Sequence, residues 1–196
     1  MMKRLYKTGC LLGLFLTSSI VCAASWQVDN AQSQLSFVSV KKEHIAEVHH
    51  FDRISGQVDE TGAFSLKIDL ASVNTGIEIR DARMKASFFE IDAFPTAELS
   101  AQIDPGFIRD LVVGEAKPLT VDAELNLHGQ KQSVKLPVMV SKISDRDLLV
   151  VSSEPVILNV ADYDLVKGLE KLRELAGLPS ISQAVPVSFY LSLSAM

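Results

Sequence analysis

Apolar and polar residues alternate along much of this chain with a period of two. In residues 64–70, Phe64, Leu66, Ile68 and Leu70 are separated by single polar residues. Successive side chains of a strand point to opposite faces, so this alternation predicts a strand with one buried and one exposed face. The same pattern returns at residues 97–103, 119–127, 134–140 and 185–193.

Short polar links that contain glycine separate some of these runs. Residues 59–62 and 128–131 are such links, and both predict hairpin turns. Weaker strands are predicted at residues 26–29, 35–40, 48–58 and 148–160. Antiparallel strands with one apolar face close on themselves or pack on a second sheet, and we predict an up-and-down β-barrel. Side chains can fill an eight-stranded barrel, or it can hold one small ligand, and the pattern leaves both open.

Two segments depart from the period of two and predict helices. Residues 76–89 follow Asn74 and Thr75, either of which is a suitable N-cap. Residues 165–176 carry an apolar stripe opposite a charged face. Asp162 or Asp164 is a suitable cap for this second helix, and Gly177 is a suitable stop.

The first 24 residues have the composition of an export signal. Basic residues precede an apolar run at residues 11–21, which ends in Ala23 and Ala24. This is the pattern of a secretory signal peptide, and the run is shorter than the roughly 20 residues that span a membrane. We therefore predict a signal peptide at residues 1–24, a single β-barrel domain at residues 25–196 and a periplasmic location. A lipoprotein signal is the alternative, although Cys22 follows bulky rather than small residues.

Removal of this segment changes the composition in two ways. Both cysteines, Cys10 and Cys22, lie within it, so the exported chain has no disulfide and depends on its core. The 19 basic residues fall to 16 against 24 acidic residues, a formal net charge of −8. Such a surface repels phosphate backbones, and nucleic acid is not an expected partner. No second apolar run is long enough to span a membrane.

The residue patterns that mark catalytic sites are few. His44, His49 and His50 lie close in sequence, but on a strand His49 points away from the other two, so three ligands do not converge. A metal-dependent hydrolase that uses these histidines stays an alternative. His128 is expected to be exposed in its hairpin turn. The exported chain has no cysteine nucleophile and no Gly-x-Ser-x-Gly motif, and we predict neither catalytic residues nor a bound metal.

The segment at residues 72–95 combines dense charge with an aromatic cluster. Its phenylalanines either plug one end of the barrel or line the mouth of an apolar cavity, where Arg80 or Arg83 meets a polar head group. The cavity residues that we predict are Phe37, Phe51, Phe88, Phe89, Phe94, Leu99, Leu125 and Phe189, with Arg80 and Arg83 at its mouth.

Four stretches of the chain resemble the YceI family of periplasmic, lipocalin-like proteins. They are WQVDNAQSQLSFVSVKK, FDRISGQV, SVNTGIEIRDARMKASFFEIDAFPTAELSA and LTVDAELNLHGQKQSVKLPV. The resemblance covers nearly all of residues 25–196. It implies an antiparallel eight-stranded, lipocalin-like β-barrel with one or two short α-helices, and a long isoprenoid or fatty-acyl chain in an internal channel. Isoprenoid quinones and polyprenyl phosphates are the ligands associated with such folds.

The resemblance leaves two features of the chain open. The amphipathic helix at residues 165–176 is longer than in the simplest members of the family, and its side chains can occupy or cap the cavity. The expected function is a carrier of a long apolar ligand without catalysis, with a ligand-free structural or stress-related interaction module as the alternative. An exposed strand edge or the same helix can also mediate a homodimer.

Overall fold

The structure is a computed structural model that describes residues 25–196, so the predicted signal peptide lies outside the described residues. The strands are β1 (Trp26–Lys41), β2 (Ile45–Phe51), β3 (Ile54–Val58), β4 (Ala63–Asp69), β5 (Val73–Asn74), β6 (Thr96–Gln102), β7 (Ala116–Leu127), β8 (Gln130–Lys142), β9 (Asp147–Ser152), β10 (Val156–Asn159) and β11 (Ala184–Ala195). The α-helices are α1 (Glu78–Arg83), α2 (Pro105–Arg109) and α3 (Val166–Leu175). Two 3₁₀-helices lie at Leu70–Ser72 and Val160–Tyr163, and a π-helical turn lies at Met84–Phe88.

Eight of the strands form one closed antiparallel barrel. Their order around the wall is β1, β3, β4, β6, β7, β8, β9 and β11. The pairing of β1 with β11, from Trp26 opposite Ala195 to Phe37 opposite Val187, closes the sheet. Every other residue of each strand points inward, so the period-two runs place their apolar side chains in the interior. The predicted antiparallel eight-stranded barrel, mainly β with short helices, is confirmed.

β1 is a single strand that changes its partner part-way along. The weaker strands predicted at residues 26–29 and 35–40 are both part of it, and its register with β11 shifts between Asp29 and Gln34. Before this bulge β1 pairs with β3, and after it with β2. Asn30 stabilises the change: its Oδ1 accepts a hydrogen bond from the backbone N–H of Ile54 at 2.7 Å.

Two other predicted strands are each divided in the structure. Residues 48–58 form parts of β2 and β3 because the chain turns at residues 52–53, where the backbone N–H of Asp52 donates to the carbonyl of Ser72. Residues 148–160 form β9 and β10, which pair with successive parts of β11. The sheet is thus extended by β2, which pairs with the second half of β1, and by β10, which pairs with the first part of β11.

The two ends of the barrel differ. At one end, where β1 finishes and β2 begins, lie α1, the π-helical turn and α3, and we name it the helical end. At the other, the base end, the link between β6 and β7 contains α2. Asp104 caps this short helix by accepting from the N–H of Gly106, and Pro105 fits its first turn.

The helices of the helical end are close to those predicted, but their N-caps differ. α1 and the π-helical turn together cover residues 78–88 of the predicted 76–89, and the α1 N-cap is Ile77 without a side-chain hydrogen bond. Thr75 instead hydrogen-bonds Asp81 within the helix. α3 covers residues 166–175 of the predicted 165–176, and its N-cap is Leu165, because Asp164 lies in a left-handed turn after the preceding 3₁₀-helix.

Gly168 lets α3 pack closely on the π-helical turn. A Cβ atom at this position would lie 2.6 Å from the carbonyl oxygen of Ser87 and 2.9 Å from the Cα of Phe88. Leu165, the N-cap of α3, and Leu169 within the helix are both buried, so the apolar stripe of α3 faces the protein interior. Within residues 25–196, no helix has the length and apolar composition needed to cross a membrane.

Candidate ligand-binding cavity

The barrel encloses an apolar cavity. Its volume is about 440 Å³, which is within the usual range of small-molecule binding sites. Its wall consists mainly of inward-facing aliphatic and aromatic side chains of the barrel strands, and Phe107 and Ile108 of α2 line its base end. Tyr163 also lines it, and burial raises the pKa of this phenol to about 12, which keeps it neutral. The apolar wall follows from the period-two strands, because their inward positions are apolar on nearly every strand.

Nine of the ten side chains predicted for the cavity lie on its wall. They are Phe37, Phe51, Phe88, Phe89, Leu99, Leu125, Phe189, Arg80 and Arg83. The strand residues among them point inward by alternation, whereas Phe88 and Phe89 come from the π-helical turn and the residue after it. Contact of these side chains with a ligand stays a prediction.

Phe94 does not line the cavity, contrary to the prediction. Its ring packs on His128, with 4.2 Å between the ring centroids, at the turn between β7 and β8. His128 in turn lies 2.9 Å from a carboxylate oxygen of Glu90, and its side chain is only 9 % exposed, so the expectation of an exposed histidine is also wrong. Phe94 thus contacts the turn between β7 and β8 rather than the cavity.

The aromatic residues of the wall form a continuous chain. Phe37 packs on Phe51 at 5.4 Å between ring centroids, Phe51 on Phe89 at 5.8 Å, and Phe89 on Phe88 at 4.8 Å. Such separations allow the tilted and edge-on contacts that aromatic pairs favour. Strands β1 and β2 are thereby joined to the helical end through rings that face the cavity. At its other end the chain reaches His49, whose ring lies 5.2 Å from that of Phe37.

A group of polar side chains interrupts the apolar wall at the helical end. We name Ser39, Lys41, Glu47, His49 and Arg80 the polar cluster, and all five line the cavity. The first four continue the inward faces of β1 and β2 beyond Phe37 and Phe51. The side chains of Arg80, Lys41 and Glu47 are 25 %, 27 % and 32 % exposed, so the polar cluster lies where the cavity meets solvent.

One carboxylate holds both cations of the polar cluster. Oε2 of Glu47 lies 2.7 Å from Lys41 Nζ and 2.7 Å from Arg80 Nη1. The hydrogen bond from Lys41, together with the charge of Arg80, lowers the pKa of Glu47, so this side chain is ionised near neutral pH. Arg80 also donates through Nη2 to the carbonyl of Thr75 at 2.7 Å, which ties the guanidinium to the start of α1.

His49 is the most deeply buried member of the polar cluster. It is 2 % exposed, and its Nε2 lies 2.8 Å from Ser39 Oγ. Burial lowers the pKa of His49, and the nearby charge of Arg80 lowers it further, so the imidazole is neutral near pH 7. Among residues 25–196, neither His49 Nδ1 nor Arg80 Nε has a hydrogen-bond partner, although both atoms are buried.

The three histidines of the proposed hydrolase alternative are separated in the structure. His44 lies exposed in the turn between β1 and β2, and His50 points outward, with its Nε2 3.1 Å from Asp52. His49 alone faces the cavity. Within the described part of the chain, no group of three His, Cys, Asp or Glu side chains has an arrangement that suits a metal ion.

The family comparison agrees with this architecture. The model of the YceI-like domain matches residues 26–193. The chain belongs to the YceI-like domain family. The resemblance noted in the sequence is thus confirmed, and the match covers nearly the whole described barrel. A search of curated proteins found no significant match.

Solved structures with this YceI-like fold include one with substantial sequence identity. A polyisoprenoid-binding domain from Saccharophagus degradans is 38 % identical, with a TM-score of 0.86 over 87 % of this chain and 98 % of that chain. BcnA from Burkholderia cenocepacia is 20 % identical, with a TM-score of 0.65 over 84 % and 98 % of the two chains. A YceI protein from Campylobacter jejuni is 13 % identical, with a TM-score of 0.54 over 76 % and 84 %. The last two support the fold alone.

Of the polar cluster, only Arg80 was predicted from the sequence to lie at the cavity. A signal was present in β1, where Leu35 and Phe37 are followed on the same face by Ser39 and Lys41. A change from apolar to polar along one inward face indicates where the interior of a barrel approaches its mouth.

Proposed function

We propose that this protein is a non-catalytic carrier that holds a long apolar ligand, an isoprenoid or fatty-acyl chain, inside its barrel. The observation that carries the proposal is the apolar cavity of about 440 Å³ with polar side chains concentrated at the helical end. Such a cavity suits a molecule with a long tail and a small polar head. The similarity to a polyisoprenoid-binding domain at 38 % identity favours an isoprenoid tail.

The hydrophobic effect is large enough to support this function. A tail that transfers on the order of 400 Å² of apolar surface from water gains about 10 kcal/mol, at roughly 25 cal/mol per Å². Loss of translational freedom and ordering of the tail offset part of this gain. Binding therefore requires no covalent step and no metal. The rings of Phe37, Phe51 and Phe89 add contact area at low cost in side-chain entropy.

Native mass spectrometry of the full chain, purified gently from the cells that export it, tests the proposal. An added lipid mass, identified after extraction, is the expected result. Recovery of the bare chain in repeated gentle preparations would overturn the carrier function in favour of a ligand-free module. An added metal mass together with hydrolytic activity would overturn it in favour of the metal-dependent hydrolase.

A pair of variants on β6 makes this experiment specific to the cavity. Ala97 is 4 % exposed and lines the cavity, whereas Ser100 is exposed on the outer face of the same strand. Ala97→Leu adds volume inside the barrel and should reduce the bound lipid. Ser100→Leu adds the same kind of side chain outside and should leave the lipid in place. Equal lipid content in both variants would show that the lipid is bound elsewhere.

The proposal includes export to the periplasm, on the basis of the basic and apolar pattern of residues 1–24. Cell fractionation and the intact mass of the recovered protein test this part. We expect the protein in the periplasmic fraction, with the intact mass of a chain that begins at Ala24 or Ser25. A full-length mass in the cytoplasmic fraction would contradict export while leaving the cavity proposal unaffected.

A further inference from the structure

Apolar side chains form a row across the outer surface of the barrel. Met139 on β8 pairs with Val151 on β9, and Val151 pairs with Tyr190 on β11, so the three lie side by side on adjacent strands. The residue before each of them lines the cavity, so by strand alternation these three point outward. They are 37 %, 37 % and 43 % exposed. Pro118 on β7 pairs with Met139 and extends the row.

Further apolar side chains enlarge this row into a patch. Leu149 lies two residues before Val151, on the same face of β9. Ile157 on β10 is 60 % exposed and pairs with Pro186, which shares the outward face of β11 with Tyr190. We name the patch the outer apolar face, and its residues are Pro118, Met139, Leu149, Val151, Ile157 and Tyr190. The solvated face of an antiparallel sheet normally carries polar side chains, so this composition indicates a contact with another molecule.

The outer apolar face is also free of charge. Residues 137–141, 149–151 and 186–192, which form most of it, include no acidic and no basic side chain. The opposite side of the barrel has the usual polar composition, because β4 and β6 present Ser65, Lys67, Glu98 and Ser100 outward, and all four are exposed. The two sides of one barrel wall therefore differ in both hydrophobicity and charge.

This lack of charge favours a second copy of the chain as the partner. Residues 25–196 contain 16 basic and 24 acidic residues, a formal net charge of −8, so two copies repel each other over most of their surfaces. In a dimer with two-fold symmetry the same patch of both copies meets, and a charge near the axis would face the same charge. An uncharged patch avoids this repulsion. The patch also has no lysine or arginine that would hold it on anionic lipid head groups.

The size of the outer apolar face predicts a weak dimer. Four neighbouring strands with three outward positions each cover roughly 400 Å², from the usual spacings between strands and between residues on one face. A stable interface of standard size buries about 800 Å² on each partner. The association should therefore be reversible, with a dissociation constant in the micromolar range.

We propose that the outer apolar face is the interface between two copies of this chain, related by a two-fold axis that passes close to Val151. Val151 lies at the centre of the row, between Met139 and Tyr190. The proposed surface differs from the strand edge and from the helix at residues 165–176 that the sequence suggested. It lies on the side wall of the barrel, so the proposal is independent of the carrier function.

Sedimentation velocity of the exported full chain, over a range of concentrations, tests the proposal. We expect a reversible change from monomer to dimer. Val151→Glu and Val151→Lys each place a charge beside its own copy and should weaken the dimer at least about ten-fold, since like charges in contact cost several kcal/mol. An equal mixture of the two variants should dimerise again, because the opposite charges then face each other.

A matched control separates this effect from a general effect of charge. Ser65→Glu adds the same carboxylate on the opposite side of the barrel and should leave the dimer unchanged. The thermal midpoint of each variant checks that it folds. If the Val151 variants do not fold, Tyr190→Glu tests the same surface, because Tyr190 is the neighbour of Val151 in the row.

The outcomes that would overturn the proposal are distinct. A monomer at every concentration would exclude the dimer, and a dimer that neither Val151 variant weakens would place the interface elsewhere. A monomer that binds phosphatidylcholine vesicles, and loses this binding in both Val151 variants, would assign the face to a lipid surface instead. The lipid content of each variant by native mass spectrometry reports on the carrier function separately, and we expect it to be unchanged.

Discussion

Gly168→Ala is a sensitive test of how the helical end packs. At a solvent-exposed position inside a helix, this change stabilises a protein by about 1 kcal/mol, because alanine has the higher helix propensity. In α3 the new Cβ would meet the carbonyl oxygen of Ser87 at 2.6 Å and the Cα of Phe88 at 2.9 Å. Both are backbone atoms, so no side chain can rotate away. Either α3 or the π-helical turn must move.

The sign of the effect follows from two opposing free energies. Overpacking of a tight contact costs typically 1–3 kcal/mol. After the gain in helix propensity is subtracted, we expect a net loss of about 1 kcal/mol in the free energy of unfolding. In a protein of this size, that loss lowers the thermal midpoint by roughly 2–4 °C. Phe88 lines the cavity, so the displacement should also speed the release of bound ligand.

Urea denaturation gives the free energy of unfolding, and a matched control isolates the contact. Lys171 is exposed on the same helix, so Lys171→Ala compared with Lys171→Gly measures the change from glycine to alanine without a neighbour. We expect alanine to be the more stable by about 1 kcal/mol there and the less stable at residue 168. A gain at residue 168 equal to that at residue 171 would refute the close approach of α3 to the π-helical turn.

Three further predictions address other parts of the molecule. Burial lowers the pKa of His49 in the folded protein below its unfolded value of about 6.5, so the unfolded chain binds one more proton and the protein loses stability as the pH falls below that value. The urea midpoint should therefore fall more between pH 7.5 and pH 5.5 in the unmodified protein than in His49→Gln. Equal losses in the two proteins would contradict this. Phe94→Ala should lower the free energy of unfolding by about 2 kcal/mol without reducing the amount of bound lipid, whereas Phe51→Ala should reduce both the stability and the bound lipid. Loss of lipid in Phe94→Ala would show that the Phe94 ring contributes to the cavity. Gly62→Ala should prevent folding, because residue 62 has φ +82° and the new Cβ would lie 1.9 Å from the carbonyl oxygen of Ile103. A circular dichroism spectrum like that of the unmodified protein would contradict this prediction.

The barrel was predictable because its information is local. Each strand needs only alternating residues, and the turns at residues 59–62 and 128–129 carry the glycines that their positive φ angles favour. Closure then places every apolar face inside. The change of partner by β1 was not predictable in this way, because it depends on Asn30 reaching Ile54 across 24 positions of the sequence. A strand that pairs with two neighbours has the same alternation as one that pairs with a single neighbour.

The location of the site was partly predictable, but its chemistry was not. Inward residues such as Leu99 and Leu125 follow from strand period, and Phe88 and Phe89 from their position in the family motif. Phe94 belongs to the same motif yet lies outside, because residues after the π-helical turn follow no period. The contact of Arg80 with Glu47 joins positions 33 residues apart, and no pattern in either segment indicates the other.

The proposed function also determines the direction in which the ligand lies. Within the described chain, the polar cluster is at the helical end, while Phe107 and Ile108 line the base end with apolar atoms. A ligand inserted with its head toward the base would bury a polar head without a hydrogen bond, at a cost of roughly 1–3 kcal/mol. We therefore expect the tail of such a ligand to point toward α2 and its head to lie beside α1.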